Sequence, residues 1–294
     1  MKAVQNYLNV CAIYRNEAPH LREWIEFHRL VGVERFFLYD NGSTDEHVQV
    51  LAPYLEDGIA IVHDWPSRER PQEPAYDDCL ARHGPESRWI AFIDLDEYLF
   101  SPTYNSLPEI LADYEQHPAV VANWAVFGTS GHLTKPPGLT IENFNHRNDY
   151  PPGAIEQVKC VVDPARTSHA LSGHRFVYHA GEAVNENHET KEGRAPREIS
   201  FERLRVNHYA HRSREEYIEK LARPQVVGTY KQFPPNSLER RINRANAVRD
   251  DTIKHYVPAL KERLAAVEER ARALARVPAA SQPAGSSENS GGRG

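Results

Sequence analysis

Short apolar runs alternate with helical patterns through the first half of the chain, and this alternation limits the fold more than any other feature. The helical patterns, with apolar residues three and four positions apart, fall between successive apolar runs. A βαβαβαβ order with short connections predicts a parallel, doubly wound sheet that helices cover on both faces. The predicted strands are residues 7–14, 35–39, 59–63, 88–93 and 119–126, and the predicted helices are residues 16–31, 48–55 and 75–83.

Right-handed crossovers place the loops that follow these strands along one edge of the sheet, where α/β proteins bind ligands. Neither a G-x-G-x-x-G motif nor a Walker motif occurs, so the two common glycine-rich phosphate loops are absent. Between residues 128 and 190, frequent Gly, Pro, His and Asn predict long loops and short antiparallel strands. A late strand over 204–209 precedes a helix over 213–221, and Ser213 with Glu216 forms a capping-box pattern at its start.

The last predicted helix begins at Pro258 and carries an apolar stripe with steps of 4, 3, 4 and 3 residues. Two heptads are too short for an isolated coiled coil, which favours docking onto the helix's own domain over a dimer seam or a membrane-surface helix. We expect a main domain over 1–250, this helix over 251–277, and a disordered tail rich in Ala, Ser, Gly and Pro over 278–294. The stripe consists of Leu260, Leu264, Val267, Ala271 and Leu274.

Charge divides the chain into an acidic part and a basic part. Residues 1–193 carry 15 Lys and Arg against 29 Asp and Glu, whereas residues 194–276 carry 19 against 11. The net charge of −6 argues against nucleic acid as a partner. The basic part could contact a phosphate-bearing ligand or an anionic membrane surface, or it could neutralise the acidic part within the fold.

The compartment expected from the sequence is the cytoplasm. No run approaches the roughly 18 apolar residues of a transmembrane helix, and the first nine residues lack the apolar stretch of a secretory signal. Cys11, Cys79 and Cys160 are odd in number and far apart. This spacing predicts buried, reduced thiols and neither a disulfide framework nor a zinc site.

Three carboxylates, Asp94, Asp96 and Glu97, directly follow the strongly apolar fourth strand. An unpaired buried charge is costly, so carboxylates at the end of a core strand need compensation. A divalent cation supplies it, and oxygen ligands of this kind suit Mg²⁺ or Mn²⁺. Alternation along a strand puts Asp94 and Asp96 on one side, where one could bind metal and the other a ribose hydroxyl or metal-bound water. The alternative is a solvated acidic turn.

Two further strand ends carry polar side chains. Asp40 and Asn41 follow the second strand and could recognise a pyrimidine edge or a ribose. The turn chemistry alone favours an Asx turn with a helix N-cap, which needs no ligand. After the first strand, Arg15 could pair with a phosphate. Glu17 could instead stabilise the start of the following helix.

These segments belong to an ordered set of blocks, between about residues 6 and 225, that resembles glycosyltransferase family 92. This family is a group of GT-A-type enzymes related to the large family 2. His174 falls within the same ordered set. The matching blocks are residues 15–17, 23–28, 32–33, 39–45, 75–80, 92–97, 124–132, 159–164, 207–209 and 213–216.

The resemblance implies a GT-A-like α/β fold: a Rossmann-type, mostly parallel sheet with a small antiparallel part and C-terminal helices. It also implies an inverting transferase that uses a UDP-sugar, with galactose the leading sugar, and Mn²⁺ or Mg²⁺ bound through the D-x-D motif. The acceptor would be a glycan, a polysaccharide or a lipid-linked sugar, and the last would require peripheral membrane contact through the basic part.

The resemblance also assigns site residues. The metal ligands would be Asp94, Asp96 and His208, with His174 as second choice. Asp40 would lie where related enzymes recognise uracil. The other donor-binding positions would be Tyr14, Arg15, Asn16, Glu17, Asn41, Tyr76, Asp77, Asp94 and Leu95.

Inversion requires a base that takes the proton of the acceptor hydroxyl. We expect it between residues 128 and 190, where the candidates are Glu142, Asp149, Glu156, Glu186 and His132. The chain departs from the family at Asp77, where Asn is common, and at Thr129, where Ser is common. Two other functions stay open: a degenerate member that binds a glycan or a partner, and a metal-dependent phosphoesterase or nuclease.

Overall fold

The computed structural model describes residues 4–66, 70–151, 154, 157–190, 199–222 and 237–276. The helices are α1 (Ala18–Leu30), α2 (His47–Glu56), α3 (Gln72–His83), α4 (Leu107–Leu111), α5 (Thr140–Asn143), α6 (Arg214–Ala222), α7 (Ser237–Ala245) and α8 (Val257–Ala275). The strands are β1 (Asn6–Tyr14), β2 (Arg35–Asp40), β3 (Ala60–Asp64), β4 (Ser87–Phe92), β5 (Glu97–Phe100), β6 (Ala119–Val126), β7 (His146–Arg147), β8 (Val158–Val162), β9 (Thr167–Ser172), β10 (Arg175–Tyr178), β11 (Arg205–His208) and β12 (Val248–Arg249).

The main sheet has the strand order β3-β2-β1-β4-β8-β6-β11-β5. Strand β1 runs parallel to β2 and β4, β2 to β3, and β6 to β11. Strand β8 enters antiparallel between β4 and β6, and β5 pairs antiparallel with β11. The predicted α/β class with a mostly parallel sheet is confirmed. The β8 insertion corrects the purely parallel sheet expected from the βαβ pattern.

The link between β4 and β5 forces the sheet to curl. In a flat sheet these strands would lie about 19 Å apart, which is four spacings of about 4.8 Å. Residues 93–96 connect them and reach roughly 17 Å at full extension. The far edge of the sheet therefore bends back toward β4, around the acidic residues of this link.

Both faces of the sheet are buried, as a doubly wound fold requires. Alternate residues of β1 enter different clusters: Val10 packs beneath α1 with Trp24, whereas Cys11 packs beneath α3 with Tyr76. Cys11, Cys79 and Cys160 are free and buried, as predicted. They lie in the cluster beneath α3.

Helix α8 packs against α1 and α2. Leu260 is fully buried, and Leu264 and Val267 pack against the same core. Arg263 Nε lies 2.9 Å from Oε2 of the buried Glu26 on α1. The apolar stripe is thus the docked face of the helix. Within the described ranges, no helix is long and apolar enough to span a lipid bilayer.

The loosely patterned region contains the short antiparallel pair β9–β10, and β7 pairs with β12, in line with prediction. The capping box also forms: Glu216 N donates to Ser213 Oγ and Ser213 N donates to Glu216 Oε2, each at 3.2 Å. The strand β5 and the helices α4, α5 and α7 were not predicted. The predicted disordered tail over 278–294 lies outside the described residues.

If the α8 stripe stabilises the domain, Leu260→Ala should lower the free energy of unfolding by about 3 kcal/mol, because it removes a fully buried side chain. The matched control is Leu274→Ala near the end of the same stripe, which is half-exposed and should cost less than about 1 kcal/mol. Urea unfolding followed by circular dichroism measures both. Equal losses would contradict the docked arrangement.

Candidate functional site

The acidic link between β4 and β5 forms a tight turn. Asp94 N donates to Glu97 Oε2 at 2.9 Å, and Glu97 N donates to Asp94 O at 3.1 Å. Tyr209 N, just after β11, donates to Asp96 O at 2.8 Å. These hydrogen bonds hold the backbone of the turn in place. The side chains of Asp94, Asp96 and Glu97 lie in different surroundings.

Asp94 faces the buried Lys159 of β8. Lys159 Nζ donates to Asp94 Oδ2 at 2.7 Å, and Gln72 Nε2 of α3 donates to Asp94 Oδ1 at 3.1 Å. The lysine side chain is 1% exposed and also pairs with Glu97 Oε2 at 3.4 Å. Burial alone would lower its pKa, but Asp94 and Glu97 raise the pKa of Lys159 well above its usual value. Lys159 is therefore charged.

Asp96 lies beside Lys220 of α6 and His208 of β11. Lys220 Nζ lies 2.5 Å from Asp96 Oδ2, and His208 Nε2 lies 3.4 Å from the same oxygen. Burial opposes ionisation, but Lys220, His208 and Arg212 hold the pKa of Asp96 well below its usual value. Asp96 is thus an ionised carboxylate that borders the cleft described below.

Glu97 is fully buried, and its Oε1 has no hydrogen-bond partner among the residues the structure describes. Burial raises the pKa of Glu97 well above its usual value; Lys159 opposes this shift, and Asp94 and Asp96 add to it. In register, Glu97 lies opposite His208 across β5 and β11. A ligand atom from each of Asp96, Glu97 and His208 lies within 4.8 Å of the others.

This donor set suits a divalent cation. Two carboxylates and an imidazole are ligands that Mn²⁺ accepts, and Mg²⁺ binds the carboxylates. Ligand atoms around an ion at about 2 Å lie roughly 3 to 4 Å apart. Small rotations of these three side chains would bring them to that spacing.

Of the predicted metal ligands, Asp96 and His208 come together, whereas Asp94 lies outside the group of three. His174, the second choice, lies on Trp124 with ring centroids 5.0 Å apart, and its Nδ1 is 2.9 Å from Val158 O. His208 contacts the same indole with centroids 4.1 Å apart. The indole therefore contacts both imidazoles.

Asp40 and Asn41 form the turn that the sequence left as an alternative to ligand binding. Ser43 N donates to Asp40 Oδ1 at 2.9 Å, and Asn41 Nδ2 donates to Trp65 O at 2.9 Å. The second oxygen of Asp40 lies 3.4 Å from His47 Nε2. Nearby, the buried hydroxyl of Tyr14 has no partner within the described ranges. One Asp40 oxygen and the tyrosine hydroxyl thus retain hydrogen-bonding capacity.

The segment after β1 combines a strained turn with an ion pair. Asn16 has a φ of 55°, a conformation that Asn tolerates better than most residues. Its Oδ1 accepts the N–H of Thr44 at 2.7 Å. Glu17 pairs with Arg212 at 3.4 Å, and Arg15 is exposed. The turn therefore joins the ends of β1 and β2 to the segment after β11.

Of the remaining donor-site predictions, Tyr76 and Leu95 are buried and Asp77 is half-buried. Tyr76 is fully buried, and Leu95 is 4% exposed with its carbonyl 3.4 Å from Arg212 Nη2. Asp77 Oδ1 accepts the N–H of Ala170 in β9 at 2.7 Å. A carboxylate accepts this bond as well as an amide would, so the departure from Asn preserves this contact.

A cleft of about 160 Å³ opens beside Asp96. Arg212 and Lys220 bring positive charge to it, and Arg212 Nε is buried without a partner in the described part of the chain. Arg212 has a φ of 50°, so its backbone is held in a rarely populated conformation. The other lining residues are Asn16, Glu17, Pro19, His20, Lys135, Tyr209, Ala210, His211, Glu216 and Glu219.

None of the described base candidates lines this cleft. Glu186 is buried and accepts the N–H groups of 202, 203 and 204 together with Ser200 Oγ. Asp149 is exposed, His132 Nε2 is 3.3 Å from Asn143 O, and Glu142 pairs with Lys261. Glu156 lies outside the described residues.

The sequence pattern places Glu97 among the three carboxylates after the fourth strand but assigns it no role of its own, and it does not mark Lys159 or Arg212 as functional. Lys159 lies within a matched block and Arg212 lies directly before one. Only this place in the resemblance pointed to them. The basic balance of residues 194–276 was a signal for cations at the site, but it does not identify Arg212 or Lys220.

The family model described as glycosyltransferase family 92 matches residues 7–263. A protein of that family from Oryza sativa subsp. japonica is 29% identical over 217 residues, covering 72% of this chain and 35% of that protein. One from Arabidopsis thaliana is 34% identical over 151 residues, covering 47% and 24%. Galactan beta-1,4-galactosyltransferase GALS2 of Arabidopsis thaliana is 34% identical over 116 residues, covering 36% and 22%. The chain thus matches between 22% and 35% of the length of these relatives.

Solved structures share only part of the fold. S. aureus TarS in complex with UDP-GlcNAc has a TM-score of 0.34 at 19% identity, covering 44% of this chain and 37% of that chain. The mannosyltransferase PcManGT from Pyrobaculum calidifontis, with GDP-Man and Mn²⁺, has a TM-score of 0.32 at 18% identity, covering 40% and 35%. Similarity at this level supports no conclusion about this chain's ligands.

The hydrogen bonds of Glu186 predict a structural role for this carboxylate. Glu186→Ala should lower the free energy of unfolding by about 3 kcal/mol or more, since it leaves several N–H groups without an acceptor. Asp149→Ala, which removes an exposed carboxylate, should change it by less than about 0.5 kcal/mol. Chemical unfolding compares them; a fully stable Glu186→Ala protein would refute this role.

Proposed function

The chain belongs to glycosyltransferase family 92, and we propose that it transfers a sugar from a UDP-sugar to a glycan, polysaccharide or lipid-linked acceptor, with inversion, using Mn²⁺ or Mg²⁺. One observation carries the proposal: Asp96, Glu97 and His208 converge beside a cleft to which Arg212 and Lys220 contribute cationic side chains. Galactose is the leading sugar, because relatives matching part of the chain are named galactan galactosyltransferases.

The leaving group of such a transfer is a nucleoside diphosphate, whose developing negative charge must be stabilised. A divalent cation at the carboxylates would supply Lewis-acid neutralisation of that charge. Arg212 would donate to the diphosphate oxygens through Nε, which is buried and without a partner in the described residues. Lys220, half-exposed at the cleft, would add a second positive charge.

Recognition of the nucleoside would fall to the other strand ends. Only Oδ1 of Asp40 accepts the Ser43 N–H of the turn, and we assign the other oxygen to the uracil. Asp94, one third exposed, would accept a ribose hydroxyl while Lys159 and Gln72 hold its orientation. Both roles follow from the family resemblance. A carboxylate oxygen can accept a second hydrogen bond, so Asp94 could accept from a hydroxyl without leaving Lys159 or Gln72.

An inverting transfer also needs a base on the acceptor side. The carboxylates that line the cleft are Glu17, Glu216 and Glu219 together with Asp96. Glu216 also accepts the Ser213 hydroxyl proton at 2.8 Å, and Glu17 is paired with Arg212. Because Asp96 belongs to the proposed metal site, we add only Glu17, Glu216 and Glu219 to the base candidates between residues 128 and 190.

We further propose that the protein acts in the cytoplasm and that a lipid-linked acceptor would be met through the basic part of the chain. Helix α7 supports such a contact, because it carries three exposed arginines, Arg240, Arg241 and Arg244. Sedimentation with anionic and with neutral vesicles measures the bound fraction of the protein, which should be larger with the anionic vesicles.

The proposed donor predicts that UDP stabilises the protein only with a divalent metal. At one hundred times the Kd, a ligand bound only to the folded state adds about 2.7 kcal/mol of stability. We expect a thermal shift with UDP plus Mn²⁺. We expect none with GDP or CMP plus Mn²⁺, and none with UDP plus EDTA. Asp96→Asn should abolish the shift, whereas Asp149→Asn should keep it.

Glycan binding with no nucleotide shift would favour a degenerate binding module, and nucleotide hydrolysis without an acceptor would favour a phosphoesterase.

The role of Arg212 predicts a loss of nucleotide affinity without loss of fold. Arg212→Gln should raise the Kd for UDP with Mn²⁺ by 10- to 100-fold, because a charge-assisted hydrogen bond contributes about 1.5–3 kcal/mol. The matched control is Arg214→Gln on α6, whose partner is the exposed Glu239. Isothermal titration measures both; the same Kd for the two variants would argue against a diphosphate contact.

A further inference from the structure

We infer that Glu97, and not Asp94, is the third protein ligand of the metal, and that Lys159 is a positioning residue that keeps Asp94 outside the coordination sphere. The inference rests on the metal-dependent transfer proposed above. It changes the ligand set that the D-x-D spacing implies, Asp94 with Asp96, to Asp96, Glu97 and His208.

Both oxygens of Asp94 already have partners. Lys159 Nζ lies 2.7 Å from Oδ2, and Gln72 Nε2 lies 3.1 Å from Oδ1. Lys159 is 1% exposed, so it cannot turn to water if Asp94 moves toward an ion. Moving Asp94 away would deprive a buried cation of a partner, which is unfavourable, and this holds Asp94 in place.

Asp96 also has a cationic partner, but of a different kind. Lys220 Nζ lies 2.5 Å from Asp96 Oδ2, and the lysine side chain is 47% exposed. An exposed lysine can return to water when an ion takes its place, at the low cost typical of surface pairs. Asp96 is therefore available to a metal, and Asp94 is not.

Glu97 has the free capacity that Asp94 lacks. Its Oε2 accepts the Asp94 N–H at 2.9 Å and pairs with Lys159 at 3.4 Å. Its Oε1 is buried and has no partner among the described residues. A buried carboxylate oxygen without a partner is costly, and an ion would remove that cost.

His208 points to the same ion. It lies opposite Glu97 in the β5–β11 register, so both side chains project from the same face of the sheet. Its Nε2 lies 3.4 Å from Asp96 Oδ2, so this ring nitrogen faces the carboxylate.

Mn²⁺ titration without donor tests the ligand set, followed by calorimetry and by the EPR signal of free Mn²⁺. We expect Asp96→Asn and Glu97→Gln to weaken Mn²⁺ binding at least tenfold. Asp94→Asn should leave the Mn²⁺ affinity within threefold of wild type and keep the EPR line shape of the bound ion. Thermal melting checks that each variant is folded.

Glu97 is buried, so Glu97→Gln could fail to fold. Glu97→Asp is the second variant: it keeps the charge but withdraws the carboxylate by one methylene, and it should also lose at least tenfold in Mn²⁺ affinity. If Asp94→Asn loses as much affinity as Asp96→Asn, the inference is overturned, whatever Glu97 does. If wild type binds Mn²⁺ neither alone nor with UDP, the metal-dependent function falls too, which separates the two failures.

Discussion

The ion cluster around Lys159 is the interaction on which the acidic turn depends. A lysine that is 1% exposed would destabilise the core by several kcal/mol without partners. Asp94 and Glu97 supply them, and the Asp94 N–H donates back to Glu97, so the turn closes on itself. Lys159 belongs to β8, the antiparallel strand between β4 and β6. The strand that breaks the parallel sheet is thus the strand that places a cation beneath the carboxylates.

The curl of the sheet completes the site. It allows β5, which begins at Glu97, to pair with β11, which ends at His208. Tyr209 N then donates to Asp96 O, so the turn is held by β8 through Lys159 and by the residue that follows β11. The ligand atoms come from residues more than one hundred positions apart, and they meet only when the far edge of the sheet has folded back onto β4.

Local patterns allowed most elements to be predicted, because periodicity and caps are local. The strand over 119–126, the Ser213 capping box and the α8 stripe were all found this way. β5 was not, because it begins at Glu97, within the run of carboxylates that follows the fourth strand. Lys159 and Arg212 gave no local signal either. Their roles depend on β8 and on the segment after β11 lying next to the turn, and spacing along the chain does not encode such contacts.

Two buried glutamates show why sequence alone could not choose the functional carboxylates. Glu186 accepts N–H groups from the segment that precedes β11, which leaves no oxygen for a substrate proton. Glu97 is equally buried, but one oxygen stays without a partner in the part of the chain described here. The supply of nearby backbone N–H groups makes the difference, because a satisfied carboxylate stabilises its loop whereas an unsatisfied one favours a ligand. That supply depends on how distant loops pack around each side chain, so it becomes visible only in the folded structure.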